Sequence, residues 1–128
     1  MVVDWDLEDW LLDAGERVTR KSQVQGDASL TRAERLLGEV WLFDMETRNG
    51  GVSQFFCNHG LARWQALCEA WSAEDVPSLG PIIAAIGRII ADSDDPYLAT
   101  LNVSPGIEDL YESHQAEVKI ELRRFAGA

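Results

Sequence analysis

The chain contains 128 residues, enough for one domain whose core forms without disulfides or a structural metal. Its composition, with 46% hydrophobic and 26% charged residues, excludes an intrinsically disordered protein. Asp and Glu number 22 against 11 Lys and Arg, so the formal net charge is −11. Because such a surface repels phosphate groups and anionic lipids, we expect neither direct nucleic-acid binding nor membrane binding, and instead a protein partner with a basic surface.

The first residues of the chain lack the basic and apolar segments of a signal peptide. No apolar run approaches the roughly 18 residues that a membrane span requires. Cys57 and Cys68 are the only two cysteines of the sequence and are most simply free thiols. These features predict a cytoplasmic protein.

The first 30 residues are expected to form an acidic helix and a link. Between residues 4 and 20 the apolar residues recur at helical spacing, and Gly26 and Asp27 then break the pattern. The apolar positions of this predicted helix are Val3, Leu7, Trp10, Leu11, Ala14 and Val18.

The segment from residue 31 to residue 73 predicts three helices. Thr31 and Glu34 have the spacing of a capping box, and the helix that they open is apolar almost all round over residues 36–43, which indicates the centre of the core. Asn49, Gly50 and Gly51 end this helix, because Asn and Gly tolerate the left-handed backbone of a helix C-terminus. A short helix over residues 53–58 and a longer one over residues 61–73 follow.

The remaining residues predict two further helices and one undecided segment. Pro77 and Pro81 bracket the start of an isoleucine-rich helix that extends to residue 90, and residues 92–96 form a turn. Residues 97–103 are either a short helix or an irregular link. Ser104 and Pro105 resemble an N-cap and a first helical position, from which the last helix begins. No segment shows strand alternation, so we predict a single compact all-α domain over residues 1–128, of about five or six helices, with residues 31–128 as its core.

The sequence offers little for catalysis or metal binding, and we expect a protein that is not an enzyme and has no cofactor. Cys57 and His59 are two residues apart, which on a helix points them in different directions, and His114 lies on the apolar stripe of the last helix. The run that begins at Asp92 fails as a calcium loop at Pro96. A small enzyme would instead require a deep pocket that holds His59 beside a carboxylate with a shifted pKa.

The negative charge is concentrated at both ends of the chain. The formal charge is −4 over residues 1–30, −2 over residues 31–91 and −5 over residues 92–128. On the first helix, four acids at spacing i, i+3, i+7 and i+10 share one face, each about 4.5–6 Å further along the axis. This resembles the roughly 3.4 Å rise between phosphates of one DNA strand. The first candidate partner-binding residues are therefore Asp6, Asp9, Asp13 and Glu16, and the second set is Asp92, Asp94, Asp95, Glu108, Asp109 and Glu112.

A simpler explanation accounts for part of this row. Acids in the first turn of a helix are favoured by the helix dipole, which explains Asp4, Asp6 and Glu8. It explains Asp13 and Glu16 less well, because they lie deeper in the helix. A functional acidic face therefore stays open beside an ordinary acidic surface.

One motif resembles a known bacterial family. An apolar helix with an acid near its end is followed by Asn-Gly-Gly, a hydrophobe, a polar residue, Gln, two aromatic residues and, two positions on, Asn, as in the C-terminal domain of bacterial DNA-mimic proteins of the DMP type. The resemblance is clearest over residues 31–91 and departs from the family at Val52 and Cys57, where aromatic residues are usual. It implies an all-α fold and a structural role for the motif, which comprises Asn49, Gly50, Gly51, Gln54, Phe55 and Asn58.

The resemblance also implies a function without catalysis. Members of the family present carboxylates as a duplex presents phosphates, and so occupy the basic site of a DNA-binding protein. We therefore predict an acidic inhibitor or decoy that blocks such a site on a DNA-binding regulator or a nucleoid protein. The alternative is an immunity protein that neutralises a bacterial toxin, for which Trp5 and Leu12, on the side of the first helix away from its core stripe, are candidate anchors. A homodimer is possible in either case.

Overall fold

A computed structural model describes residues 4–127 of the chain, except for the side chain of Ser104. Within this range the protein is all-α, as predicted, and Val3 of the predicted first-helix stripe lies outside it. Single turns of 3-10 helix lie at Asp27–Ser29 and Pro77–Leu79. The α-helices of the described range are α1 Trp5–Gln25, α2 Arg32–Gly50, α3 Val52–Ala70, α4 Gly80–Ile90, α5 Pro96–Leu101 and α6 Ser104–Ala126.

Helix α2 lies at the centre of the fold, as its apolar sequence predicts. It packs against α1, α3 and α6. The predicted capping box is present at its start, because Glu34 N donates to Thr31 Oγ1 at 3.1 Å and Thr31 N donates to Glu34 Oε1 at 2.8 Å. The Thr31 amide and the Lys21 ammonium together lower the pKa of Glu34. The core residues of α2 are Leu36, Leu37, Val40, Leu42 and Phe43.

Helix α1 packs along α2 and continues five residues beyond its predicted end, to Gln25, since neither glycine nor proline occurs between Arg20 and Gly26. Asp4 is the N-cap rather than part of the helix, and its carboxylate accepts from Asp6 N at 3.1 Å and Leu7 N at 3.2 Å. Gly15 is buried against Trp41 of α2, at a place where a β-carbon would overlap the indole ring. The absence of a side chain at this position therefore sets the distance between the two helices.

Two glycines shape the segment that follows α2. Gly51 has φ of 88° and separates α2 from α3, which agrees with the predicted end of α2. Gly60 has φ of 76° inside α3. The two helices predicted over residues 53–58 and 61–73 are therefore both present, on either side of a non-helical kink at Gly60 within α3, and the second ends at Ala70.

The C-terminal part completes the core. The undecided segment after Asp95 contains α5, whose first two amides are capped by the Asp95 carboxylate and whose first residue is Pro96. Helix α6 begins at Ser104, one residue earlier than predicted. Glu121 of α6 accepts from the amide of Ser78 at 2.8 Å, which joins α6 to the turn that precedes α4. None of the described helices has the combination of length and apolar character that crossing a membrane requires.

Candidate partner-binding surface

The predicted row of carboxylates lies on the solvent side of α1. Asp6, Asp9, Asp13 and Glu16 are all exposed. This exposure follows from the helical period, because the row is about half a turn from the stripe that faces α2. The buried stripe consists of Leu7, Leu11, Ala14, Gly15 and Val18.

Within residues 4–127, two members of the row form ion pairs and two do not. Asp6 lies 3.2 Å from Arg123 of α6, and Asp13 lies 3.3 Å from the arginine one turn further along α1. The side chains of Asp6 and Asp13 are 86% and 73% exposed, so these pairs contribute little stability and neutralise the surface only in part. Asp9 and Glu16 form no ion pair with any residue in the range 4–127.

Glu8 is in a different position from the other acids near the start of α1. Its Oε1 accepts from Lys119 Nζ at 2.6 Å, and its second oxygen pairs with Arg48. The Lys119 side chain is completely buried, and its ammonium lies 3.1 Å from Asp44 Oδ1. The helix-dipole explanation of Glu8 is therefore incomplete, since Glu8 belongs to an ion cluster of two carboxylates and two cations: Glu8, Asp44, Arg48 and Lys119. This cluster is buried at Asp44 and Lys119, whereas Glu8 is half-buried and Arg48 is exposed.

Neutral side chains complete the hydrogen bonds of this ion cluster. Tyr111 donates its hydroxyl hydrogen to Asp44 Oδ1 at 2.5 Å, and Gln115 Oε1 accepts from Lys119 Nζ at 2.6 Å. Burial, followed by the charge of Asp44, raises the pKa of Tyr111 far above its usual range, so the hydroxyl stays a donor. The cluster joins α1, α2 and α6. Its carboxylates are therefore already paired with cations inside the fold.

The second predicted set of acids is divided between two parts of the fold. Asp92 and Asp94 are exposed in the turn between α4 and α5, whereas Asp95 caps α5. Near the start of α6, Glu108 accepts from Val52 N at 3.1 Å and thereby caps α3, while Asp109 is exposed. The remaining acid, Glu112, is half-buried on α6.

The motif that resembles the family surrounds a buried carboxylate that sequence reasoning missed. Glu46 is 8% exposed and accepts from Asn58 Nδ2 at 2.6 Å and Gln54 Nε2 at 3.3 Å. Phe55 is fully buried against Phe43, with ring centroids 5.4 Å apart. The spacing of Glu46, Gln54 and Asn58 across the Asn49–Gly51 turn is the sequence signal that would have indicated this pairing.

A cleft of about 530 Å³ between α1, α2 and α3 holds His59 and Glu39 in its wall. Burial raises the pKa of Glu39, although the nearby Arg63 opposes the shift, and Glu39 Oε2 accepts from Arg63 Nε at 2.8 Å. His59 Nε2 lies 3.9 Å from Glu46 Oε1. The pocket that a small enzyme would require is thus present in part, with its carboxylate engaged by an arginine. No group of three or more His, Cys, Asp and Glu side chains in residues 4–127 is arranged to hold a metal.

An apolar groove lies between α1 and α2, next to the acidic row. The α1–α2 groove has a volume of about 490 Å³. Several of its large hydrophobic side chains are unusually exposed, with Trp5 at 70%, Leu12 at 51% and Met45 at 41%. Its apolar lining consists of Trp5, Leu11, Leu12, Trp41 and Met45.

Comparison with known proteins gives one match. A family model described as DMP19-like protein matches residues 28–122, which is most of the chain. The match continues through most of α6 and therefore further than the motif around Asn49 indicated. It leaves α1 and its acidic row outside. No curated protein and no solved structure matches the chain significantly.

Proposed function

The chain belongs to the DMP19-like family, and from this premise we propose that it is a non-enzymatic acidic inhibitor that occupies the basic, DNA-binding site of a protein partner. The observation that carries the proposal is the exposed carboxylate row of α1. Asp6, Asp9, Asp13 and Glu16 follow one another at intervals of about 4.5–6 Å along a rigid helix. Basic side chains that bind phosphates about 3.4 Å apart can pair with such a row.

The distribution of ion pairs supports a role for this row. Acids that stabilise the fold are paired with a cation inside it, as Glu8 and Asp44 are with Lys119. Asp9 and Glu16 instead face solvent and form no ion pair within the described residues, although each repels the nearest acid of the row, three residues away on α1. A partner with Lys or Arg side chains would relieve this repulsion.

The absence of catalysis is part of the proposal. The Glu39 carboxylate, whose pKa is raised by burial, is held by Arg63 at 2.8 Å rather than directed at an empty position beside His59. A general acid or base needs access to the atom that it protonates. We therefore propose no catalytic step in the cleft, and we expect His59→Ala to leave partner binding unchanged.

A second function is supported by the α1–α2 groove. Immunity proteins bind toxins tightly through buried aromatic anchors, and Trp5 and Leu12 are exposed beside the acidic row. An immunity interface would retain its partner at high salt, whereas a charge-dominated inhibitor would release it. Salt dependence therefore separates the two functions.

The test is capture of partners from the lysate of the native host on immobilised protein, with washes at low and then high salt and elution by duplex DNA. A basic DNA-binding protein that is released by salt and displaced by duplex DNA would support the inhibitor proposal. A single toxin-like protein that survives both treatments would support immunity and contradict mimicry.

The captured partner then allows a charge-matched comparison. Reversing Asp9 and Asp13 to Lys is expected to weaken its affinity by more than about tenfold, because close charge pairs across an interface contribute about 1.5 kcal/mol or more. The control reverses Glu69 and Glu74, two exposed acids at the end of α3 and in the following turn, and so changes the net charge equally. Equal affinities of the two double variants would remove α1 from the proposal.

A further inference from the structure

The exposed side of α1 carries more than a row of charge. At about 100° per residue, Trp5, Asp9, Leu12 and Glu16 fall within a stripe about 60° wide, with spacing i, i+4, i+7 and i+11. Asp6 lies further round the helix, toward α6, where it meets Arg123. We call the first four residues the Trp5 stripe. Along it, exposed hydrophobic side chains alternate with exposed carboxylates.

The Trp5 stripe borders the α1–α2 groove. Leu11 forms part of the buried lining of the groove, while Trp5, Leu12 and Met45 stand exposed around it. A volume of about 490 Å³ is enough for several apolar side chains of a partner. The groove is therefore an apolar recess with carboxylates along one edge.

The charges around the groove leave it open to cations. Arg48 lines the groove but is already paired with Glu8 and lies 3.9 Å from Asp44. Burial by itself would lower the pKa of the Arg48 guanidinium, and the charges of Asp44 and Glu8 outweigh this effect and raise it. Asp9 lines the groove and Glu16 lies two turns further along the Trp5 stripe; both are exposed and negative, and neither forms an ion pair with a described residue.

We propose that the groove binds an amphipathic basic helix of the partner. Its apolar side chains enter between Trp5, Leu12 and Met45, and its Lys or Arg side chains meet Asp9 and Glu16. The two carboxylates are seven residues apart, about 10.5 Å along the axis, which matches cations two helical turns apart on the partner. This inference rests on the proposed function, since it assumes a basic partner, and it adds the shape and apolar character of the bound element.

Charge complementarity selects this occupant. A second copy of the chain would bring another formal charge of −11 and a second acidic stripe to the same place. An anionic membrane is repelled for the same reason. Recognition of a basic site by charge alone would not explain why Trp5 is 70% exposed, whereas an apolar contact with the partner would.

Two synthetic peptides test the inference on the full-length protein. Both have about 14 residues, or about four helical turns, and carry identical lysines; one has a stripe of leucines and the other has serine in their place. We expect the leucine peptide to bind at least about tenfold more tightly by calorimetry, because apolar anchors dominate binding energy. Trp5→Ala and Leu12→Ala are each expected to lower the affinity for the leucine peptide about tenfold.

The controls separate the groove from general acidity. Val24→Ala removes another exposed hydrophobe of α1, outside the groove, and should leave the affinity for the leucine peptide unchanged. The double variant Asp9→Asn with Glu16→Gln should bind both peptides more weakly, and its binding should depend less on salt concentration. Because Trp5 and Leu12 are exposed, thermal unfolding of their variants should match that of the unmodified protein.

Three results would overturn the inference. Equal binding of both peptides, weakened in each case by Asp9→Asn with Glu16→Gln, would exclude a role for the apolar groove. The proposed inhibition through carboxylates would then be retained. Binding of the leucine peptide that was indifferent to Trp5→Ala and Leu12→Ala would exclude this site. If neither peptide bound, the inference would be wrong. Displacement of the captured partner by duplex DNA would still test the proposed inhibitor function independently.

Discussion

At the scale of single residues, Lys119 is the buried cation that pairs with two carboxylates of the ion cluster. Its ammonium is fully buried between the carboxylates of Glu8 and Asp44, which belong to different helices. Lys119→Met would leave the buried carboxylate of Asp44 and the half-buried carboxylate of Glu8 with only Arg48 as a cation. Because breaking a buried ion pair leaves an uncompensated charge, we expect the free energy of unfolding to fall by about 3–5 kcal/mol.

Urea denaturation measures this loss. Arg20→Met, which removes an exposed cation from α1, is the control and should change stability by no more than about 0.5 kcal/mol. Adding Glu8→Gln to Lys119→Met should recover part of the loss, because both charges of the pair are then absent. A loss below about 1 kcal/mol in the single variant would mean that the carboxylates are adequately compensated without Lys119.

At the scale of secondary-structure elements, two helical glycines have opposite expected effects. A β-carbon at Gly15 would overlap the ring of Trp41, so Gly15→Ala should separate α1 from α2 and destabilise the fold by about 1–3 kcal/mol. Gly87 of α4 has open space where its β-carbon would lie. Gly87→Ala should therefore stabilise by about 0.5–1 kcal/mol, through helix propensity alone.

Thermal unfolding followed by circular dichroism compares the two variants directly. The helix-propensity gain is the same chemistry at both positions, so their difference reports the packing of α1 on α2. An equal rise in the unfolding temperature of both variants would contradict the close approach of Gly15 to Trp41.

At the scale of the whole molecule, the formal charge of −11 makes the fold repel itself. We expect the free energy of unfolding to rise when NaCl is increased from about 0.01 M to about 0.15 M, since the Debye length then falls from about 30 Å to about 8 Å. The variant with Glu69 and Glu74 reversed to Lys should show a shallower rise, because each reversal removes one negative charge and adds one positive charge. Stability that fell with added salt would show that attraction among ion pairs outweighs the repulsion.

The same charge bears on association. Pairing of two copies through α1 would bring two acidic rows together, so a homodimer, if formed, would use another face. The homodimer itself stays a prediction that sedimentation velocity can test.

Local pattern was sufficient for most of the secondary structure. The capping box of Thr31 and Glu34, the positive φ of Gly51 and the exposure of Trp5 and Leu12 all follow from a few neighbouring residues. The extra length of α1 and the presence of α5 were harder, because helix ends depend on small capping energies.

The sequence by itself determined that the protein is all-α, strongly negative and furnished with a carboxylate row on the outer face of α1, because the helical period decides which side chains of one helix share a side. Only the tertiary structure decided that Glu8, Asp44 and Glu46 are withdrawn into the fold while Asp9 and Glu16 are left to solvent. The reason is that a carboxylate's surroundings are set by the helix packed against it. Lys119 lies 111 positions from Glu8 in the chain, and no local pattern records that contact.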